Sequence, residues 1–324
     1  MKAPLFWNQK DSKLARFLSP LGFFYGWSVA RRFKKAHPYQ ADIPVICVGN
    51  LSVGGTGKTP VCLALGNILQ KQNIHFYFLN HGYKSQKQGV LVNLKRMTAL
   101  ETGDEAQLLA ELAPTIVDKH RARGAQQAQK RGAKALIMDD GFQDPALIKT
   151  LSFLVVDGRT GFGNARLIPA GPLREPISKG LSRADAVIIA GTDDSDTEAL
   201  IKKHDSDMPI FKGHFEPDEK TLSELRGQEV LAFAGIGKPD KFFDMLTGFG
   251  VPVAKAVPFP DHYFYTRFDI EQLLNEANGK PLVTTAKDYV KIPQDMRSRI
   301  TVINGSFIFD NPEEIETLLK GVTA

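Results

Sequence analysis

The chain has 324 residues, 43% of them hydrophobic and 24% charged, with a net charge of +5 and two cysteines. That length holds two domains of ordinary size, and the composition excludes a disordered chain or a disulfide-stapled scaffold. The charge is uneven: residues 1–37 carry eight Lys or Arg against one acid, Asp11, a local +7 that leaves −2 for the remainder. A basic surface spread over the fold is thereby excluded, and with it the expectation of a nucleic-acid partner.

Residues 1–10 lack the basic start, apolar run and small-residue cleavage site of a secretory signal, so the chain is expected to remain in the cytoplasm. Leu14, Phe17, Leu18, Leu21, Phe24 and Tyr25 then recur at helical spacing, widened by Phe23 and Trp27 and followed by Arg31, Arg32, Lys34 and Lys35. Such a stripe either lies in a bilayer interface among anionic headgroups or packs on the protein's own core. It does not span a membrane: Arg16, Pro20, Gly22 and Gly26 interrupt a run already short of the roughly 20 apolar residues required. Ser19-Pro20 reads as the cap and first position of a second helix.

A strand over Ile43–Val48 runs into Ser52-Val53-Gly54-Gly55-Thr56-Gly57-Lys58-Thr59 and a helix over Thr59–Lys71, with Pro60 in its first turn. This is the order of a phosphate-binding loop for ATP. Small residues turn backbone N–H groups inward, the helix offers its positive end, Lys58 reaches the outer phosphates and the Thr59 hydroxyl ligates Mg²⁺. Ser52 occupies the position where the usual pattern has its first glycine. Cys47 and Cys62 fall in this strand and helix without metal-ligand spacing, and read as small buried hydrophobes.

Strands over His75–Leu79, Thr115–Val117, Ala135–Met138, Leu151–Val156 and Ala186–Ala190 alternate with helices over Glu105–Leu112 and His120–Arg131. Alternation of this kind predicts an α/β fold of P-loop NTPase type, with a doubly wound, mostly parallel sheet. The strand ending in Asp139-Asp140 supplies the acids of a Walker B element, which hold Mg²⁺. Thr102-Gly103-Asp104-Glu105 fits a capping box, or else Asp104 and Glu105 give a base and a metal ligand at the sheet's mouth. In the irregular stretch 157–185, Leu167–Glu175 presents Arg174 for a phosphate of ATP or of the acceptor, unless its charge is simply solvated.

The alternation pauses near Pro209–Asp218 and resumes with strands over Glu229–Ala234, Val251–Val257, Pro281–Thr284 and Ile300–Ile303 and helices over Pro239–Phe249 and Phe268–Ala277. Three parts follow: an N-terminal amphipathic segment (1–37), a P-loop core (38–212) and a smaller α/β domain (213–324). Phe307–Phe309 and Pro312–Lys320 return to the junction as a hinge. His262 lies in a loop of the smaller domain, where a lone histidine is either solvated or catalytic.

Taken together, Val48–Pro60, Gly103-Asp104-Glu105, Asp139–Gln143, Pro169–Glu175, Phe259–His262 and Thr284–Asp288 resemble the tetraacyldisaccharide 4′-kinase family of P-loop kinases over nearly the whole chain. The resemblance implies transfer of the ATP γ-phosphate to the 4′-hydroxyl of a lipid A disaccharide 1-phosphate. It implies that Asp104 is the base, that His262 reaches across to orient it, and that Glu105, Asp139 and Asp140 organise Mg²⁺ with Thr59. It also implies peripheral attachment to the cytoplasmic face of the inner membrane, with no obligate protein partner. His81 stands where the family usually has arginine, which puts a substrate contact in question, and Ala286 replaces a common glutamate. The alternative is a P-loop partitioning ATPase that switches at membranes; such proteins commonly carry a lysine at the position of Val53.

Overall fold

The computed structural model describes residues 4–323. Helix α1 (Lys13–Lys35) precedes a nine-stranded sheet built from β1 (Val45–Gly49), β2 (Phe76–Asn80), β3 (Val90–Leu91), β4 (Thr115–Val117), β5 (Ala135–Asp139), β6 (Leu151–Asp157), β7 (Ala186–Ala190), β8 (Ile210–Pro217) and a late-returning strand, Gly305–Phe309. Its order is Gly305–Phe309, β8, β7, β6, β1, β5, β2, β4, β3. All neighbours run parallel except the two edge pairs, β3 with β4 and Gly305–Phe309 with β8.

The central strands β1, β5 and β6 are buried on both faces, as their near-continuous apolar runs require. Alternation within β1 divides the core. Ile46 and Val48 pack with Val61 and Leu65 of α2 (Lys58–Lys71), Leu109, and Ile315 and Leu319 of the final helix, Pro312–Thr323. Val45 and Cys47 face the opposite layer, with Ala125, Ala128, Ile177 and Leu181. Cys47 and Cys62 are free and buried.

A second sheet contains β9 (Val230–Ala234), β10 (Val253–Pro258), β11 (Leu282–Thr285) and β12 (Thr301–Ile303), all parallel in the order β10-β9-β11-β12. In β9, Val230, Ala232 and Ala234 pack with Phe242 and Leu246, while Leu231 and Phe233 face Ile270 and Leu273. The strand Gly305–Phe309, β13 in chain order, then leads back to the large sheet. The boundary expected at 212/213 therefore falls inside β8, because the pause in alternation at 209–218 is itself a strand.

Two local expectations are corrected. Helix α1 passes through Pro20 without a break, starting from Ser12, which caps the N–H of Ala15 at 3.2 Å. Pro20 is exposed, and the Ser19 hydroxyl donates to the Ala15 carbonyl at 2.8 Å within the same turn. Nor does Thr102 pair with Glu105 as a capping box. That motif is made one turn earlier by Thr98 and Glu101, on α3 (Ala99–Thr102). Gly103, at φ 92°, then starts α4 (Asp104–Leu112), which puts Asp104 and Glu105 in its first turn.

Candidate active site

The carboxyl ends of four adjacent strands, β2-β5-β1-β6, converge on one mouth and present Asn80, Asp139, the phosphate loop and Asp157. Open α/β sheets bind ligands at this edge. Gly57 caps α2 at φ 88°, a left-handed conformation that glycine adopts without strain. Lys58, Thr59 and Pro60 form the first turn, whose N–H groups have no partner within the helix. Ser52 and Val53 stand apart from this cradle. Ser52 bridges to Leu173, and the Val53 N–H donates to the Pro172 carbonyl at 2.8 Å. The stretch Gly54–Thr59 remains as the candidate anion cradle, and Asn50, fully buried, donates from Nδ2 to Thr56 Oγ1 at 3.1 Å.

Asp139 Oδ2 accepts from the Thr59 hydroxyl at 3.2 Å and from Asn80 Nδ2 at 3.1 Å. Its Oδ1 is buried without a hydrogen-bond partner among the described residues. Burial, and next the nearby Glu105 charge, push this carboxyl up to about 7, against the pull of Lys58. Asp140 turns the other way, with Oδ1 3.2 Å from Arg174 Nη1 and 3.7 Å from Lys58 Nζ. Burial opposes its ionisation, but Lys58 and then Arg174 outweigh that and hold it below the usual carboxylate range. Arg121, buried, donates to the carbonyls of Leu79, Asp139 and Asp140, so it fastens the ends of β2 and β5 together.

Asp104 is 3% exposed, and its Oδ2 accepts from His262 Nδ1 at 2.8 Å across 158 residues of sequence. Lys287 Nζ and Lys291 Nζ each lie 3.9 Å from the same oxygen. Burial raises the carboxyl's pKa, yet the His262 hydrogen bond and the two lysines prevail and hold it at about 2. Asp104 is therefore an anion at neutral pH. Glu105 pairs with Lys287 at 3.1 Å, and the Tyr83 ring stands 5.0 Å from that of His262. His81 is exposed beside this mouth, and burial of part of its ring, then Arg121, lower its pKa.

The smaller sheet's loops close over the larger one's mouth at three points. Besides the Asp104 cluster, Gly237 rests on the phosphate loop so closely that a Cβ there would lie 3.3 Å from the Gly55 nitrogen. Lys238 and Lys241 both reach Asp157 Oδ2, at 2.9 and 2.7 Å. Among the residues expected from the sequence, the structure brings together Lys58, Thr59, Asp139, Asp140 and Arg174 on one side and Asp104, Glu105 and His262 on the other. Asn80, Arg121, Tyr83, Lys287 and Lys291 were not foreseen as site residues. Lys287 lies within the Thr284–Asp288 motif and Tyr83 within His81-Gly82-Tyr83, where the family usually has Arg-Gly-Tyr; Asn80, Arg121 and Lys291 carry no local pattern.

A parallel sheet with a glycine-rich loop before a helix, a strand-end acid on the following threonine, and an anionic acid-histidine pair facing that loop define a P-loop phosphotransferase. A family profile described as tetraacyldisaccharide-1-P 4′-kinase matches residues 14–323. The chain belongs to that family. A tetraacyldisaccharide 4′-kinase of Paramagnetospirillum magneticum is 45% identical over 325 residues, covering 99% of both chains. One of Rhodospirillum rubrum is 44% identical over 323 residues, covering 98% of this chain and 97% of the relative. Among solved structures, the "apo" form of LpxK from Aquifex aeolicus in complex with ATP superposes with a TM-score of 0.78 at 29% identity, covering 96% of this chain and all of that one.

Proposed function

We propose that this chain transfers the γ-phosphoryl group of ATP to the 4′-hydroxyl of a tetraacyldisaccharide 1-phosphate in lipid A biosynthesis. The observation that carries the reading is the Asp104–His262 pair. Its 2.8 Å hydrogen bond joins the two sheets' loops beside the anion cradle of Gly54–Thr59. Phosphoryl transfer asks the protein mainly for positioning and charge neutralisation. The N–H groups of the cradle and Lys58 bind the outer phosphates, and Arg174 neutralises charge next to Asp140. Asp104 accepts the sugar hydroxyl's proton as that oxygen bonds to the γ-phosphorus and the bond from the γ-phosphorus to the β–γ bridging oxygen breaks, releasing ADP, while His262 and the two lysines keep the carboxylate ionised and aimed.

The residues also suit Mg²⁺. Asp139 has a buried oxygen without a partner, set against the Thr59 hydroxyl, and hard oxygen donors are what this cation takes. Thr59 and Asp139 would hold it, with Asp140 and Glu105 completing the acidic surround. Bound there, the ion supplies neutralisation of the β- and γ-phosphate charge.

The membrane reading rests on α1. Phe17 is 80% exposed, Phe23 70%, Phe24 65% and Trp27 55%. No helix among the described residues is long and apolar enough to cross a membrane. A peripheral seat on the cytoplasmic face of the inner membrane matches an exposed aromatic stripe that ends in cations.

Asp104→Asn removes the proton acceptor while keeping the side chain's shape. Transfer to the disaccharide should fall by about 10²- to 10⁴-fold, with ATP affinity retained. Turnover at the wild-type rate in that variant would remove Asp104 from the mechanism, and brisk lipid-independent hydrolysis by the unaltered protein would favour a switch ATPase.

A further inference from the structure

We propose that α1 has a second task besides any seat on lipid: its small-residue face splints the loop that presents Arg174 and so sets the geometry of Arg174 and Asp140. The inference rests on Arg174 serving the phosphotransfer site as proposed above.

Ala15, Ser19, Gly22 and Gly26 follow one another at intervals of four, three and four residues, which places them on one side of the helix. Ala15 and Gly22 are its buried residues, and Phe17, Phe23, Phe24 and Trp27 lie on the exposed surface. This inverts the usual amphipathic helix, which buries its bulky side chains. The reason is the close approach of Leu167. A Cβ on Gly22 would sit 3.1 Å from the Leu167 carbonyl oxygen, and one on Gly26 would sit 2.7 Å from Leu167 Cδ1. Ser19 Oγ accepts from Arg166 Nη1 at 2.7 Å. Before the helix, Trp7 Nε1 donates to the Pro169 carbonyl at 3.1 Å, and the Asn164 N–H donates to the Trp7 carbonyl at 2.7 Å.

The other side of the same loop is bonded to the entry of the phosphate loop. The Pro172 carbonyl accepts from the Val53 N–H, and the Arg174 N–H donates to the Leu51 carbonyl at 2.7 Å. The loop is thus held between α1 and the nucleotide cradle. A second route runs from the helix's C-terminal end: Arg32 donates to the Gln143 carbonyl, and Gln143 Oε1 accepts from Arg174 Nη1 at 3.3 Å. Arg183 Cζ lies 4.3 Å from the Phe33 ring centroid, and Arg183 clamps both oxygens of Glu175, which accepts from Gln143 Nε2 at 3.1 Å.

A helix serving only as an anchor would need no glycines at backbone contact. A loop that must hold a guanidinium within a fraction of an ångström of a transferring phosphate needs rigid support on both sides. Ser19, Gly22 and Gly26 are therefore positioning residues, acting through Leu167 and Arg166 on Arg174.

The test replaces Gly26 with Leu and measures turnover in detergent micelles, ATP affinity and vesicle binding on the full chain. With Arg174 displaced by even an ångström, kcat should fall by about tenfold or more, while ATP affinity and vesicle binding stay within about twofold. Adding Leu167→Ala makes room across the contact, a volume-conserving swap that should restore most of the rate. Should Gly26→Leu fold poorly, Ser19→Ala, which deletes the bond to Arg166 along with the hydroxyl's bond to the Ala15 carbonyl within the helix, should move kcat in the same direction with little change in melting temperature. Unchanged kcat in these variants, or no recovery with Leu167→Ala, overturns the splint. Arg174→Gln serves as the reference: if it is fully active, the reading of Arg174 itself fails, whereas an impaired Arg174→Gln beside a fully active Gly26→Leu refutes the splint alone.

Discussion

Asp104 sits where two opposed effects meet. Burial disfavours its charge, and His262 with Lys287 and Lys291 restores it. Removing the imidazole in His262→Ala leaves the lysines 3.9 Å away and the Glu105 N–H donating to Oδ1 at 3.0 Å, so the carboxylate stays charged but loses the hydrogen bond that reaches it from the smaller domain. We expect kcat to drop by about 10- to 100-fold, less than for the loss of Asp104 itself. Equal losses in the two single variants and the double variant would mean that the pair acts as one unit. Lys58, Thr59 and Asp139 were legible because phosphate loop and strand-end acid are local patterns. The partnership of Asp104 with His262 was not, since 158 residues separate them, and it entered only through resemblance to a family. Asn80 and Lys291 gave no signal at all: each is an ordinary polar residue until the strand ends converge.

Among the elements, α1 shows how far periodicity carries. The aromatic stripe marks a helix, but it does not say which face meets the protein, and the packed face is the one made of alanine, serine and glycine. Pro20 misled for a related reason. A single missing N–H leaves one carbonyl near the exposed side, a cost too small to end a 23-residue helix held along its opposite face. If the exposed face docks on lipid, each large apolar side chain buried there contributes about 1.5–3 kcal/mol, and each nearby cation about 1 kcal/mol on an anionic surface. Phe17→Ser combined with Phe23→Ser should therefore weaken binding to anionic vesicles by at least about tenfold, read by co-sedimentation. Binding unaffected by that pair would place the docking surface elsewhere.

At the scale of the whole molecule, a mostly parallel sheet and a smaller parallel one meet at the phosphate loop, joined by two chain crossings and fastened by ion pairs. The doubly wound order of the large sheet was readable from alternation. The division between the sheets was less so, because β8 and the strand Gly305–Phe309 pair over a long sequence interval that no local pattern reveals. Opposite the Asp104 cluster, the buried Asp157 carboxylate receives Lys238 and Lys241. Burial opposes its charge, but these two lysines lower its pKa below the ordinary 3.8. Its contribution to stability is thus fully present above about 3.8 and is lost as the pH falls through the lower folded-state value. Asp157→Asn should flatten the acid limb of the stability–pH curve and loosen the two sheets' contact, seen as faster amide exchange in residues 235–241. An unchanged acid limb would mean that the latch contributes nothing to the fold.

The most direct test of the central claim is to incubate the full chain with γ-labelled ATP, Mg²⁺ and the tetraacyldisaccharide 1-phosphate in micelles, then locate the label. The account predicts phosphate on the 4′-oxygen of the lipid, with little release as inorganic phosphate when the lipid is omitted. Label on another hydroxyl, or hydrolysis equally fast without lipid, would contradict it.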